Sequence, residues 1–214
     1  MIEFKNITKY YKKKEILSNI NLSIETNKLI CLYGKNGSGK TTLFKILSNY
    51  ILPDKGEIFI NNIKLHKYLK ENIIYLITSD NRSFYYRLTL MQNLKFFASI
   101  FDKNLSDEQI LKELEFVDLL NKKDDFFYEL STGMVQKLSF ARAMLLKPQI
   151  LILDELERGI DKESMDLIFK RIISLNSEMT ILFSSHQDHI IEIANTKIFI
   201  ENGIIVEKNK ILLL

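Results

Sequence analysis

The sequence is poor in residues that cross-link or break a chain. Its 214 residues include one cysteine, two prolines and seven glycines. The single cysteine, Cys31, excludes an internal disulfide, and its apolar neighbours predict a small buried side chain, not a nucleophile. A chain of this length is able to bury a substantial core as one or two packed lobes.

Long apolar runs and a strong charge excess are also missing. No stretch approaches about 20 consecutive apolar residues, so the sequence predicts no membrane-spanning helix. The first residues lack the apolar run of a signal peptide, and we expect a protein of the reducing cytoplasm. The net charge of +3 is too small to indicate a nucleic-acid partner. The basic run Lys12-Lys13-Lys14 is typical of a solvated loop.

Three of the seven glycines fall in one loop, at positions 34, 37 and 39. The segment from Gly34 to Thr42 fits the phosphate-binding pattern G-x-x-x-x-G-K-[ST] without a mismatch. It follows a predicted buried strand, Leu29–Tyr33, and opens a predicted helix, Thr41–Asn49. Backbone N–H groups and a helix N-terminus attract anions. This context favours a phosphate site over a glycine-rich turn with an incidental lysine.

We expect this loop to hold the phosphates of a nucleotide. Lys40 is predicted to reach the β- and γ-phosphates, and the Thr41 hydroxyl to bind Mg²⁺ with Thr42 beside it. The nucleotide contacts predicted from this loop are Gly34, Asn36, Gly37, Ser38, Gly39, Lys40, Thr41 and Thr42.

A second motif consists of an apolar run, Ile150–Leu153, that ends in two carboxylates. The last residues of such a strand lie at the carboxyl edge of a sheet, where ligands bind in α/β folds. Asp154 is predicted to hold Mg²⁺, directly or through water, and Glu155 to accept a proton from the water that attacks the γ-phosphate. Alone, the pattern would indicate only a strand entering an acidic turn. The phosphate loop about a hundred residues earlier favours the catalytic interpretation.

The apolar spacing predicts an α/β fold with a largely parallel sheet. Strands of alternating pattern are predicted at Ile2–Ile7 and Ile20–Ile24, around a polar loop. Helical periods dominate from about residue 85 to 147. Further predicted elements are a turn, a strand and another turn within residues 55–62, strands at Ile73–Ile77, Ile150–Leu153 and Thr180–Ser184, a helix at Lys162–Ser174 and a hairpin at Lys197–Glu207.

Four further motifs together resemble the ATP-binding subunits of ATP-binding-cassette (ABC) transporters. Leu130–Lys137 resembles the family signature L-S-G-G-Q and its following basic residue. Asp154–Asp161 resembles the run D-E-P-T-S-G-L-D. Ser184-Ser185-His186 resembles the switch histidine after the last core strand, and Tyr11 stands where the family places an aromatic that stacks on adenine.

The resemblance covers the whole chain and implies a P-loop NTPase fold. That fold has a RecA-like parallel core sheet, an N-terminal antiparallel β part and a helical insert. We expect a single ABC ATPase domain over residues 1–214. Residues 1–84 and 148–214 would form the nucleotide-binding core with its β part, and residues 85–147 the insert that carries the signature.

The resemblance also assigns roles to residues outside the loop. Ser131 and Gly133 would contact the γ-phosphate of ATP held by a second subunit, and Asp161 would join the nucleotide contacts. His186 would contact the γ-phosphate and hold the attacking water, and Glu155, His186 and Lys40 would be the catalytic residues. Tyr11 would stack on adenine, although Tyr10 beside it would serve as well and either could be core.

Some positions depart from the family pattern. Thr78 takes the place of a glutamine that usually ends the strand before the insert, and it is the third predicted Mg²⁺ ligand. Thr132 and Met134 replace a glycine and the glutamine of the signature, and Leu156-Glu157-Arg158 replaces Pro-Thr-Ser. The segment from Asp80 to Phe97 resembles the subgroup that pairs with ABC-2-type exporters. Within it, we expect Phe84 to Arg87 to form the docking surface for a cytoplasmic helix of the membrane subunit, and Phe96 and Phe97 to fill the core of the insert.

The functional expectation is an ATP-hydrolysing subunit that powers transport through a separate membrane permease. It would dimerise with a copy or a close relative, bind ATP and Mg²⁺, and lie at the cytoplasmic face of the membrane through the permease. Export of a drug, lipid or glycan is the leading variant, and export in haem or cytochrome c maturation the next. A soluble ATPase of ribosomes or DNA would need tandem cassettes or a long coiled coil, and intact Glu155 and His186 argue against a degenerate subunit that only binds ATP.

Overall fold

The computed structural model describes residues 1–78, 83–101, 103–157 and 159–210. The strands are β1 (Ile2–Tyr11), β2 (Lys14–Ile24), β3 (Leu29–Tyr33), β4 (Lys55–Ile60), β5 (Ile63–Lys64), β6 (Ile74–Thr78), β7 (Ile150–Asp154), β8 (Thr180–Ser184), β9 (Thr196–Glu201) and β10 (Ile204–Lys210). The α-helices are α1 (Lys40–Leu47), α2 (Leu65–Tyr68), α3 (Leu90–Ile100), α4 (Asp107–Phe116), α5 (Thr132–Leu146), α6 (Lys162–Leu175) and α7 (Asp188–Ile191).

The chain divides into two compact units. The first unit holds residues 1–76, 149–155 and those from 173 onward, and the second holds residues 77–148 and 156–172. The prediction of a single domain with an insert over residues 85–147 stays a prediction.

An antiparallel sheet in the order β2-β1-β4-β5 forms one part of the first unit. Strands β1 and β2 pair from Ile2 opposite Ile24 to Tyr11 opposite Lys14. The predicted polar loop between short strands is therefore wrong, because both strands continue and only Lys12 and Lys13 remain in the turn. A sheet strand needs only one buried face, so polar residues on the outer face obscured its length in the sequence.

The second sheet has the order β10-β9-β3-β8-β7-β6 and confirms the predicted parallel core. Strand β3 pairs in parallel with β8 and β9, and β7 pairs in parallel with β8. Strand β9 turns back at Asn202-Gly203 into β10, as predicted. Since parallel strands end at the same edge, the segments that follow β3, β7 and β8 emerge side by side.

Helix α1 is fixed by apolar side chains that it buries in the core of the first unit. Leu43, Phe44, Ile46 and Leu47 are each at most 2% exposed, and they join one cluster with apolar residues of both sheets. Burial of such side chains stabilises a fold by about 1.5–3 kcal/mol each. The start of α1, where the glycine loop ends, is thereby held in place.

The second unit contains helices that the sequence predicted, and side-chain caps define their starts. Thr89 and Gln92 form a capping box on α3, and Ser106 and Gln109 form one on α4. Such caps contribute about 1 kcal/mol each. Over the described ranges, no helix combines the length and the apolar character that crossing a bilayer requires.

Two buried polar side chains hold residues 83–89 in the second unit. Asn93 of α3 is fully buried. Its amide donates to the carbonyl oxygens of Tyr85, Leu88 and Thr89 at 3.0–3.1 Å. Arg142 of α5 donates to the Ser83 hydroxyl at 2.6 Å. Its guanidinium lies between the rings of Phe84 and Phe97, 3.8 and 4.2 Å from their centroids.

Candidate functional site

The glycine loop between β3 and α1 is constrained by the backbone that it touches. Gly34 has a φ of 151°, and a Cβ atom there would lie 2.1 Å from the carbonyl oxygen of Ile200. Gly39 has a φ of 111°, and its Cβ would lie 2.6 Å from Leu17. Glycine is the residue that adopts both conformations without strain, and at Gly34 the backbone oxygen of Ile200 leaves no room for a side chain. The loop therefore presents main-chain atoms where other sequences would place side chains.

Lys40 begins α1 and points into the loop. It is 5% exposed, and its Nζ donates to the carbonyl oxygens of Gly34 and Lys35 at 2.8 and 3.2 Å. Burial lowers the pKa of Lys40, while the nearby Glu155 and Asp154 carboxylates act in the opposite direction. Both recorded hydrogen bonds of this ammonium, among the described residues, go to neutral carbonyl oxygens, so it retains its attraction for an anion.

The Ser38 hydroxyl supports an anion site in the same loop. It is buried, and among the described residues it has no hydrogen-bond partner. A buried hydroxyl without a partner costs free energy unless a ligand or water satisfies it. A phosphate oxygen would satisfy the Ser38 hydroxyl.

A cleft of about 270 Å³ lies over the loop. It is lined by Tyr11, Lys14, Ile16, Asn36, Gly37, Gly39, Lys40, Thr41, Thr42 and Glu155. Of the two tyrosines proposed for the base, Tyr11 lines the cleft, whereas the Tyr10 hydroxyl is 3.4 Å from Glu15 on the neighbouring strand. Sequence reasoning missed Lys14 and Ile16, whose place here follows from the length of β2.

Asp154 and Glu155 lie at the end of β7, as predicted. Asp154 is 6% exposed and accepts a hydrogen bond of 2.7 Å from the Ser184 hydroxyl. Glu155 has a left-handed backbone with a φ of 52°. Its Oε1 is 3.3 Å from Nε2 of His186, and about a third of its side chain is exposed. The structure therefore brings together the predicted base and the predicted switch histidine.

The predicted signature residues belong to the second unit. Ser131 is exposed and is the N-cap of α5, where its hydroxyl accepts from the N–H of Met134. Gly133 lies in the first turn of α5, and a Cβ there would be 2.1 Å from the carbonyl oxygen of Gly159. The signature and the run that follows Glu155 in sequence are thus packed against each other at backbone distance.

Asp161 and Thr78 also have defined partners in the second unit. Asp161 accepts from the N–H of Ser164 at the start of α6, and this bond, with Lys137 at 3.2 Å, lowers the pKa of its carboxyl. The carbonyl oxygen of Thr78 accepts from the amide of Gln136, which is fully buried. The predicted features at Asp80, Asn81, Arg82 and Arg158 lie outside the described residues.

The predicted Mg²⁺ ligands offer oxygen donors only. Thr41 and Thr78 supply hydroxyls and Asp154 supplies a carboxylate. In the part of the chain that the structure describes, no three His, Cys, Asp or Glu side chains are grouped to hold a metal ion. A few hard oxygen donors suit Mg²⁺, which takes further ligands from substrate phosphates and water. The donor set thus fits a metal that binds with a nucleotide.

Known proteins share both the sequence and the fold. A family model described as ABC transporter matches residues 17–157. The uncharacterized ABC transporter ATP-binding protein YybJ of Bacillus subtilis is 31% identical over 99% of this chain and 98% of its own length. The methionine import ATP-binding protein MetN 1 of Staphylococcus epidermidis is 28% identical over 97% of this chain and 65% of its own length.

A solved structure confirms the predicted fold. The dimeric post-hydrolysis structure of the ATP-binding cassette MJ0796, bound to ADP and Pi, has a TM-score of 0.89 with 24% identity and covers 100% of both chains. This likeness confirms the P-loop NTPase fold with its antiparallel N-terminal sheet and its largely parallel second sheet.

Proposed function

The chain belongs to the ABC transporter family as an ATP-binding subunit, and from that membership we propose that it hydrolyses ATP to power a separate membrane permease. One observation supports this proposal most. Glu155 lines the same cleft as Lys40 and Thr41 and lies 3.3 Å from His186. Phosphate-binding groups, a general base and a group to orient water are the parts that phosphoryl transfer needs.

Each side chain has a defined task in the proposed reaction. Tyr11 stacks on adenine, and the loop N–H groups with Lys40 bind the β- and γ-phosphates. Glu155 accepts the proton of the attacking water, and His186 fixes that water and the γ-phosphate. Mg²⁺, held by Thr41 and Asp154 of the first unit, would neutralise charge on the phosphates. Thr78 belongs to the second unit and stays a predicted ligand.

The complete site requires a second subunit, which is a copy of this chain or a close relative. Each chain has one phosphate loop and one signature. We propose that Ser131 and Gly133 at the start of α5, with Asp161, complete the site on the ATP of the partner. The exposed Ser131 hydroxyl at a helix N-terminus is suited to a phosphate oxygen.

Mixing two inactive variants should restore ATP hydrolysis. Lys40→Ala spoils the phosphate loop, and Ser131→Arg blocks the signature with a bulky side chain. Each composite site would combine the phosphate loop of one subunit with the signature of the other. In the heterodimer, one composite site carries both defects and the other carries neither. We expect the mixture to recover up to about a quarter of wild-type activity, since half of the dimers are heterodimers with one of two sites intact. Phosphate release measures it.

A matched control for this mixture is Lys40→Ala with Glu155→Gln. Both changes then lie on the loop side of the composite site, so every heterodimer has one defect in each site. This mixture should stay inactive. Recovery in both mixtures, or in neither mixture without ATP-dependent dimers in light scattering, contradicts sites shared between subunits. ATP-dependent dimers without recovery would show that both sites must be intact for turnover.

The proposed contact with the permease is Tyr85-Tyr86-Arg87. Tyr85 and Tyr86 are 50% and 60% exposed, and Arg87 is exposed as well. Exposed tyrosine and arginine side chains are enriched in protein interfaces. The expectation that Phe84 joins this surface is wrong. Phe84 is 4% exposed because it stacks on Phe127 and carries the guanidinium of Arg142.

Tyr85→Ala combined with Arg87→Ala should abolish assembly with the permease. We expect ATP binding and folding to persist, because Tyr85 is half exposed and its main chain stays bonded to Asn93. Co-purification from native membranes measures assembly. Tyr50→Ala, at a tyrosine that is 68% exposed in the first unit, is the matched control and should assemble normally. Normal assembly of the double variant, or its unfolding, contradicts the docking proposal.

The last part of the proposal concerns the direction of transport and the class of substrate. The resemblance of residues 80–97 to the ABC-2 exporter subgroup favours export of a drug, lipid or glycan. MetN 1 is described as an import protein, so family membership alone does not set the direction. Identification of the permease that co-purifies with the chain, followed by transport into inverted vesicles, tests export directly.

A further inference from the structure

Ser184 joins the two acidic residues at the end of β7 through a single hydroxyl. Its Oγ donates to Oδ1 of Asp154 at 2.7 Å and accepts from the backbone N–H of Glu155 at 3.1 Å. We propose that Ser184 is a positioning residue that sets the orientation of the Glu155 carboxylate, an inference that rests on the proposed role of Glu155 as the base.

The hydrogen bond to Asp154 fixes which way the Ser184 hydroxyl points. An ionised carboxylate only accepts hydrogen bonds, so the hydroxyl proton has to be directed at Asp154. The lone pairs of the same oxygen then face the N–H of Glu155. Ser184 is 1% exposed and Asp154 is 6% exposed, which limits the competition of water for either bond.

The hydrogen bond between the Glu155 N–H and Ser184 restrains a backbone conformation that is unfavourable for a glutamate. Glu155 has a φ of 52°, a left-handed conformation that costs a residue with a Cβ about 1–2 kcal/mol. Such a conformation persists only where its surroundings hold it. The Ser184 oxygen is one such restraint, because it binds the N–H of the strained residue.

The direction of the Glu155 side chain depends on this backbone. Rotation about φ would swing Cβ and the carboxylate away from His186, whose Nε2 is 3.3 Å from Oε1. Asp154, Ser184, Glu155 and His186 therefore form a continuous series of contacts in the first unit. Ser184 touches neither phosphate nor attacking water in this scheme, and it acts on the reaction only through its neighbours.

Variants at position 184 separate the hydroxyl from the shape of the side chain. The threonine and valine side chains have the same shape, and valine carries a methyl group where threonine carries its hydroxyl. Ser184→Ala removes the hydroxyl without adding atoms. We expect Ala and Val to lower kcat for ATP hydrolysis by about 10- to 100-fold through misplacement of the base. The affinity for ATP should stay within about threefold, and Thr should restore kcat to within about threefold of wild type.

Thr180→Val is the matched control at the other end of β8. Thr180 is also 1% exposed, and its hydroxyl accepts a backbone N–H, from Asn27, at 2.9 Å. Removal of this hydroxyl should lower the melting temperature but leave kcat within about twofold of wild type. Equal losses of kcat at positions 180 and 184 would overturn the positioning role, because the effect would then be general loosening of the strand.

The Glu155→Gln background separates this proposal from the proposed function. If Ser184 acts through Glu155, Ser184→Ala should change the single-turnover rate of Glu155→Gln by less than about twofold. A full additional loss in that background overturns the proposal, as does wild-type kcat in folded Ser184→Val. Near-normal turnover of Glu155→Gln itself would instead overturn the role of Glu155 as the base.

Discussion

Glu155→Gln is expected to lower kcat for ATP hydrolysis by about 100-fold or more while ATP binding persists. Glutamine keeps the shape of the side chain and its position beside His186, but it accepts no proton from water at neutral pH. The ATP-bound dimer should therefore accumulate. Phosphate release under saturating ATP, with binding of a fluorescent ATP analogue in parallel, measures both effects.

Glu192→Gln serves as the control for loss of a carboxylate. Glu192 lies in the same unit and pairs with Lys197 at the surface, at 2.7 Å. Its replacement should leave kcat unchanged, since the Glu192 side chain is 69% exposed and does not line the cleft. Turnover of Glu155→Gln close to wild type would remove Glu155 from the mechanism.

Gly34→Ala is expected to destabilise the protein by about 3 kcal/mol or more and to abolish ATP binding. The new methyl group would lie 2.1 Å from the carbonyl oxygen of Ile200, a backbone atom of β9 that cannot yield without breaking sheet pairing. Total stabilities of folded domains are only about 5–15 kcal/mol. Urea denaturation followed by circular dichroism measures the loss.

Gly37→Ala in the same loop isolates the cause. Gly37 also has a positive φ, of 77°, but a Cβ there meets nothing within 4 Å. Gly37→Ala should lower the free energy of unfolding by about 1–2 kcal/mol, because it adds only the strain of a positive φ in a residue with a Cβ. Equal destabilisation at positions 34 and 37 would show that φ alone, and not the contact with Ile200, requires glycine at the start of the loop.

The parts of the site that the sequence predicts are those encoded by neighbours in the chain. The glycine loop, its strand and its helix are contiguous, and Asp154 and Glu155 follow directly after the apolar run of β7. Each of these motifs carries its own local signal. The β3, β7 and β8 strands then place the motifs at one edge, because parallel strands all end there.

The parts that the sequence does not predict depend on contacts between distant segments. Ser184 stood inside a recognised motif, but its bond to Asp154 spans 30 positions and arises only when β7 and β8 pair. Lys14 and Ile16 line the cleft because β2 begins earlier than its apolar pattern indicates. The sequence predicts Phe84 as part of an exposed aromatic group. In the structure its ring is covered by Arg142, which lies 58 positions later in the sequence.

The support of residues 83–89 by Asn93 and Arg142 has a consequence for how such subunits diverge. The side chains that hold the segment come from α3 and α5 and bind mostly main-chain atoms and the rings of Phe84 and Phe97. Tyr85 and Tyr86 contact the rings of Phe96 and Phe127, but they are 50% and 60% exposed. If Tyr85 to Arg87 dock on the permease as proposed, partner choice depends on a different set of residues from the one that holds the segment in place. Substitutions at the proposed docking surface would then exchange one permease for another while the scaffold beneath remains the same.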